Sequence, residues 1–236
     1  MTNPPVDPEV FSVEESLPET LPDDPFPTVA RWLDEATRQK VQPNPSAITL
    51  ATADRDGRPS ARIVLCRAVN TDKGYIVFYT NRKSRKGREL EANPRAAVIM
   101  HWDHLDRQVR IEGQVVISPD EESDAYFHAR HPASRIGAWA SEQSEPIASR
   151  DDLLAKVMQT MQELGVDLDN MGEASVPRPP HWGGYRVWAE SVELWLGSPV
   201  RIHDRAIWTR TLTPNPGADH DAAFAVTTWT ATRLQP

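Results

Sequence analysis

Apolar residues recur along this chain with two periods, and the switches between them mark its elements. From Thr28 to Lys40 the apolar positions Val29, Trp32, Leu33 and Ala36 fall at i, i+3, i+4 and i+7. That spacing predicts a helix, with Thr28 placed to cap it and Pro43 and Pro45 to end it. From Ala47 the period shortens to two. Ala47 to Thr52 reads as a strand, Asp54-Arg-Asp-Gly57 as a tight turn, and Ser60 to Val69 as a second strand. The turn Asn70–Gly74 leads into a third strand, Tyr75 to Thr80.

A short helix follows, capped by Ser84 and stopped at Asn93-Pro94. Strands are predicted at Ala96–Trp102 and Gln108–Ser118, and Glu112-Gly113 inside the second suggests a bulge or a close backbone approach. Asp120 to His128 reads as a helix, and His131 to Ser149 as a long polar loop. Asp151 to Leu164 is an amphipathic helix whose stripe of Leu153, Leu154, Val157, Met158, Met161 and Leu164 is expected in the core. After a loop from Gly165 to Pro180, strands are expected at Tyr185–Ala189, Val192–Leu196, Ile202–Arg210 and Ala225–Leu234, the last two joined by the loop Thr213–Asp221. The pattern predicts a mainly β protein with added helices, an antiparallel barrel or sandwich. No glycine-rich phosphate loop follows a strand, which argues against a doubly wound nucleotide fold.

Composition adjusts this picture at the N-terminus. Residues 1–27 hold seven of the 21 prolines, so a disordered or extended leader is expected before a single domain at 28–236. Residues 1–30 contain seven acids and no Lys or Arg, which leaves the rest of the chain near −1 out of a net −8. A nearly neutral body argues against nucleic acid as a partner. No apolar run reaches the roughly 18 residues of a membrane span, and no secretory pattern opens the sequence. With 39% hydrophobic residues in 236, a sizeable core is possible. Cys66 is the single cysteine, so no internal disulfide can form and a cytoplasmic setting is expected. His101 with His104, and His128 with His131, have helical i,i+3 spacing but no evident third ligand, so no metal is expected.

Three stretches carry candidate chemistry. Along an extended Arg201–Arg205, Arg201, His203 and Arg205 would share one face, two cations bracketing an imidazole; a solvated strand face is the alternative. Arg85 and Lys86 open a predicted helix, where they oppose the helix dipole unless a phosphate lies there. Arg62 and Arg67 have opposite parity on one strand and could serve two separate anions, unless a bulge brings them together; two surface arginines at strand ends are the alternative.

Read together, these strings resemble the pyridoxamine (pyridoxine) 5′-phosphate oxidase family. The resemblance rests on Arg62-Ile-Val-Leu-Cys-Arg67, Phe78-Tyr-Thr-Asn81, Ser84-Arg-Lys-Gly87, Arg107-Gln-Val109, Tyr126-Phe-His-Ala-Arg130, Ser141-Glu-Gln-Ser144, Trp182-Gly-Gly-Tyr185, Leu194-Trp195, Arg201-Ile-His-Asp-Arg205 and Arg233-Leu-Gln-Pro236, all in the family's order. It implies an FMN-binding split β-barrel, a homodimer with its sites at the subunit interface. By position, Arg62, Ile63, Val64, Leu65, Tyr79, Thr80, Arg85, Lys86, Gln108, Gln143, Ser144, Trp195 and Arg205 would contact FMN. Arg67, Tyr126, Arg130, Ser134, Arg201 and His203 would contact substrate, with Arg201 and His203 near the reacting carbon.

The implied activity is oxidation of pyridoxamine or pyridoxine 5′-phosphate by O2 to pyridoxal 5′-phosphate, with release of hydrogen peroxide. A related flavin oxidase acting on another ring, such as a phenazine precursor, and a non-enzymatic FMN or pyridoxal-phosphate binding protein are the alternatives. Departures from the family pattern are Arg67 where many relatives have Lys, Leu196 where Gln is usual, Gly197-Ser-Pro in place of a Gly pair, and the ending Leu-Gln-Pro.

Overall fold

The computed structural model describes residues 15–167, 169, 174–217 and 220–236; the first 14 residues of the expected leader lie outside them. The chain is mainly β, with one curled nine-stranded antiparallel sheet. The hairpin of β1 (Ala47–Ala53) and β2 (Pro59–Leu65) turns at Gly57, whose φ of 79° favours a residue without a side chain. β1 also pairs with β5 (Arg95–Trp102), β5 with β6 (Arg107–Ile117), and β6 with β7 (Trp182–Leu196). β8 (Asp204–Thr209) and β11 (Thr230–Leu234) continue the sheet beyond β7. β3 (Ala68–Asn70) pairs with β4 (Tyr75–Asn81), and β4 pairs with the first half of β7. A separate two-stranded piece joins β9 (Leu212–Pro214) to β10 (Phe224–Val226).

The β6–β7 ladder is bulged beside Gly113, with the extra residue on β7 and a close backbone approach at Gly113 itself. Pairing jumps from Glu112–Ser191 to Gly113–Ala189, which leaves Glu190 as an extra residue on β7. The extra residue changes which parity faces the core. Val187 and Ala189 are buried before it, Val192, Leu194 and Leu196 after it. A phase change reads as a break in the sequence, and two strands were expected where one 15-residue strand stands. Gly113 is required there, since a Cβ would lie 1.8 Å from the Trp188 carbonyl oxygen.

Helices flank the sheet. α1 (Phe26–Gln39) starts before Thr28; the Phe26 N–H donates to Asp24 Oδ1 at 2.8 Å, so Asp24 rather than Thr28 satisfies the first turn. α1 buries Phe26, Val29, Trp32 and Ala36 against the barrel. The remaining helices are α2 (Arg85–Ala92), α3 (Asp120–His128), α4 (Pro132–Ala140) and α5 (Arg150–Glu163). α4 occupies the first part of the stretch expected as loop; Pro132 favours helix initiation, and Ile136 and Ala140 are buried. The stripe of α5 is less buried than its periodicity suggests: Met161 is buried, but Leu154 and Met158 are 49% and 61% exposed.

The described part of the leader is docked, not free. Leu17 is buried, and its N–H donates to Asp204 Oδ2 at 2.7 Å. Trp208 Nε1 donates to the Pro22 carbonyl at 2.7 Å. Glu15 and Glu35 both bond the guanidinium of Arg107, at 2.7 and 2.6 Å. The predicted strand at Ser60–Val69 divides at Cys66-Arg67, and Ala225–Leu234 divides into β10 and β11.

Candidate functional site

A cavity of about 860 Å³ opens between β2, β4 and the start of α2 on one side and α3 and α4 on the other. That volume suits a ligand of cofactor size, for which clefts of roughly 300–1,000 Å³ are usual. Fourteen predicted site residues line it: Arg62, Ile63, Val64, Leu65, Arg67, Tyr79, Thr80, Arg85, Lys86, Tyr126, Arg130, Ser134, Gln143 and Ser144.

Three cations gather at one end. Lys86 is buried in the first turn of α2, and its Nζ donates to Thr80 Oγ1, Ser84 Oγ and Gln143 Oε1 at 3.1, 3.0 and 2.8 Å. Burial pushes its pKa down to about 8, Arg62 adds to that, and Glu89 opposes it. Ser84 holds the N-cap position, but its hydroxyl donates to the Asn81 carbonyl and does not cap the helix N–H groups. Arg62 Nη1 bonds Leu50 O and Thr52 Oγ1 at 3.3 and 2.5 Å; its Nη2 bonds Ser60 Oγ and, at 3.1 Å, Glu89 Oε2. Arg85 Nε bonds Glu89 Oε1 at 2.8 Å. Burial raises the Glu89 pKa, but hydrogen bonds from Thr52, Ser60, Arg85 and Arg62 outweigh it and hold the carboxyl down at about 2.

At the other end, aromatic rings form a wall. Tyr79, Tyr126 and Trp182 lie nearly parallel, with centroids 4.1 Å apart for the tyrosines and 5.6 Å from Tyr79 to Trp182. Arg67 sits over the Tyr126 ring and Arg130 over Trp182, at 5.5 and 4.7 Å. Arg130 Nη1 is buried with no hydrogen-bond partner among the described residues. Its pKa is lowered by burial and by Arg67, while Tyr126 opposes the shift. A buried guanidinium nitrogen without a hydrogen-bond partner, beside a second cation, is stabilised by an anion. The cavity therefore has two cationic ends and a planar wall, a donor set suited to two phosphates and a ring system.

Five predicted residues do not line this cavity: Gln108, Trp195, Arg201, His203 and Arg205. Four of them form a second cluster. Gln108, Trp195 and Arg205 stand directly opposite one another across β6, β7 and β8. The His203 ring lies 4.6 Å from that of Trp195, and its Nδ1 accepts the Ser198 N–H at 3.1 Å. Arg205 makes two bonds to buried Glu193, at 2.9 and 2.8 Å. The expectation that Arg201, His203 and Arg205 share a strand face is corrected. β8 begins at Asp204, and Arg201 closes a turn by donating its N–H to Ser198 O at a φ of 65°. Arg201 is exposed. The turn begins within Gly197-Ser-Pro, where the sequence departs from the family pattern.

Sequence reasoning left out Ser60, Asn81, Ser141 and Trp182, which also line the cavity. Trp182 was visible in the Trp-Gly-Gly string but carried no assigned role. Cys66 is buried, and burial pushes its thiol up to about 12, so it offers no nucleophile at neutral pH.

Comparison with known proteins bears on both clusters. Residues 33–163 match the family described as pyridoxamine 5′-phosphate oxidase, and residues 182–236 match the pyridoxine 5′-phosphate oxidase C-terminal dimerisation region. A pyridoxine/pyridoxamine 5′-phosphate oxidase of Burkholderia orbicola is 48% identical over 213 residues, 90% of this chain and 89% of that protein. One from Cupriavidus necator is 46% identical over 94% of this chain and 93% of its own length. Among solved structures, PhzG from Burkholderia lata, in complex with tetrahydrophenazine-1-carboxylic acid, superposes with a TM-score of 0.75 at 30% identity and covers 98% of both chains. A pyridoxamine 5′-phosphate oxidase-related, FMN-binding protein of Nostoc punctiforme shares the fold at a TM-score of 0.62 and 16% identity, over 89% of this chain and 96% of its own.

Proposed function

We propose a function from the premise that this chain belongs to the pyridoxamine 5′-phosphate oxidase family: it is an FMN-dependent oxidase of pyridoxamine or pyridoxine 5′-phosphate, with O2 as acceptor. The observation that carries this reading is the cavity with two separate cationic ends. Arg62, Arg85 and Lys86, with Thr80, Gln143 and Ser144, suit the cofactor phosphate and its neighbouring polar groups. Arg67, Arg130, Tyr126 and Ser134 suit the substrate phosphate. Bound FMN would supply a two-electron acceptor that O2 regenerates, with release of hydrogen peroxide.

The second cluster supports a site completed across a homodimer. β2 and β8 lie toward opposite ends of the strand order, separated by β7, β6, β5 and β1. Gln108, Trp195, Arg201, His203 and Arg205 would then close the cavity of a second copy, and the match to a dimerisation region favours that arrangement. Arg201 and His203 would orient the substrate near its reacting carbon. Because His203 Nδ1 accepts a backbone N–H, the proton of the neutral ring sits on Nε2. In that tautomer Nε2 donates a hydrogen bond to substrate and does not act as a base.

A second reading is favoured by the likeness to PhzG: oxidation of another reduced ring. The cations Arg67 and Arg130 at the aromatic end weigh towards a phosphorylated substrate. Anaerobic mixing of the FMN-loaded protein with pyridoxamine 5′-phosphate decides between them. Rapid bleaching of the oxidised flavin supports the first reading. A flavin that stays oxidised with both phosphorylated vitamers but bleaches with a dihydrophenazine carboxylate supports the second.

A further inference from the structure

We infer that Glu89 is a positioning residue for phosphate recognition: its carboxylate aligns Arg62 and Arg85 and sets the net charge of the cationic end of the cavity. The inference rests on the FMN reading above. Glu89 is on α2, three residues after Lys86, with its side chain 5% exposed. Its oxygens bond Arg62 Nη2 at 3.1 Å and Arg85 Nε at 2.8 Å. Thr52 Oγ1 donates to it at 2.5 Å and Ser60 Oγ at 2.7 Å. Both hydroxyls also accept from Arg62, one at each terminal nitrogen. The Arg62 guanidinium is thus fixed from two sides, through residues of β1, β2 and α2 that Glu89 ties together.

Charge balance points the same way. Arg62, Arg85 and Lys86 bring three positive charges, and Glu89 removes one. The remaining two match the roughly −1.5 to −2 of a phosphate monoester at neutral pH. A buried carboxylate in an anion site is unfavourable for anion binding on charge alone. Its presence is explained if the guanidiniums are held in place by it, since a bidentate fork loses its hydrogen bonds when misaligned. The charged groups facing Lys86 from the packed elements are Arg62 on β2 and Glu89 on α2. Glu89 therefore also keeps Lys86 cationic to a higher pH.

The test is Glu89→Gln in the full chain, titrated with FMN and with riboflavin, which lacks the phosphate. We expect FMN affinity to fall by at least about tenfold, with riboflavin affinity changed less than about threefold. The pH above which FMN affinity declines should also shift downward, because Lys86 loses the carboxylate that favours its charge. Equal or tighter FMN binding by Glu89→Gln would overturn the inference, as would equal losses for both flavins. If Glu89→Gln does not fold, Thr52→Val removes a hydroxyl shared by Glu89 and Arg62, and unchanged FMN affinity there overturns it as well. A wild-type protein that takes up no FMN instead rejects the functional reading, and this inference with it.

Discussion

Tyr126 lies face to face with Tyr79, their rings 4.1 Å apart and 11° from parallel. One ring comes from α3 and the other from β4, so the stack couples the proposed substrate end of the cavity to the proposed cofactor wall. Tyr126→Ala should lower unfolding free energy by about 1–3 kcal/mol, measured in urea, through loss of the stack and of packed area. It should raise KM for a phosphorylated vitamer more than it lowers kcat. Tyr126→Phe keeps the stack and should leave stability within about 0.5 kcal/mol of wild type.

Arg130 tests the second phosphate. A charged hydrogen bond contributes about 1.5–3 kcal/mol, so Arg130→Met should raise KM for pyridoxamine 5′-phosphate by roughly 10- to 100-fold. Oxygen uptake with unphosphorylated pyridoxamine should change little. Equal losses on both substrates would remove Arg130 from phosphate binding.

If two copies complete each site, inactive variants should rescue each other. Lys86→Met alters the cavity side, and Arg205→Met alters the β8 side. Random mixing after co-refolding gives half heterodimers, each with one intact site, so activity should return to about a quarter of wild type. No recovery would place both residues in the same half of the site.

Glu89 also sets an acid limb. Its folded pKa of about 2 lies below the ordinary 4.5, so its contribution to stability is complete above pH 4.5 and is lost as pH falls toward 2. The stability difference between wild type and Glu89→Gln should therefore shrink as pH falls through that window, followed by thermal melting. A difference that stays constant down to pH 2 would mean that the carboxylate's charge contributes nothing.

The docked leader residues make a stability claim of their own. Arg107 is 7% exposed at its side chain and held by Glu15 and Glu35. Removing both acids leaves a buried cation with the Trp32 ring but no ion pair, whereas removing Arg107 leaves carboxylates that water can reach. Replacing both acids by Ala should cost about 2–4 kcal/mol in chemical denaturation, more than Arg107→Met costs.

How much of this was legible in the sequence depends on whether a residue's role is local. The strands between Ala47 and Thr80, the close approach at Gly113 and α2 follow from period, turn residues and caps, which act within a few residues. α4 escaped because its polar surroundings hid a short helix with two buried apolar positions, Ile136 and Ala140. Arg201 to Arg205 reads as a strand by alternation, but Gly197-Ser-Pro imposes a turn that alternation does not register. Fourteen of the residues singled out from the sequence line one cavity. Gln108 and Trp195 do not, because strand order separates them from it, and no local pattern reports that distance.

Glu190, the extra residue in β7, has a consequence for how the chain tolerates change in length. On one side of it odd-numbered residues face the core, on the other even-numbered ones. Deleting that single position would turn every side chain from 191 to 196 by half a revolution. Leu194 would emerge into water, and the indole of Trp195 would be driven into the barrel. Substitutions at Glu190 give up its side-chain contacts to Arg95 and Gln114 but keep the count. The position is fixed in number before it is fixed in identity: a spacer that the barrel counts.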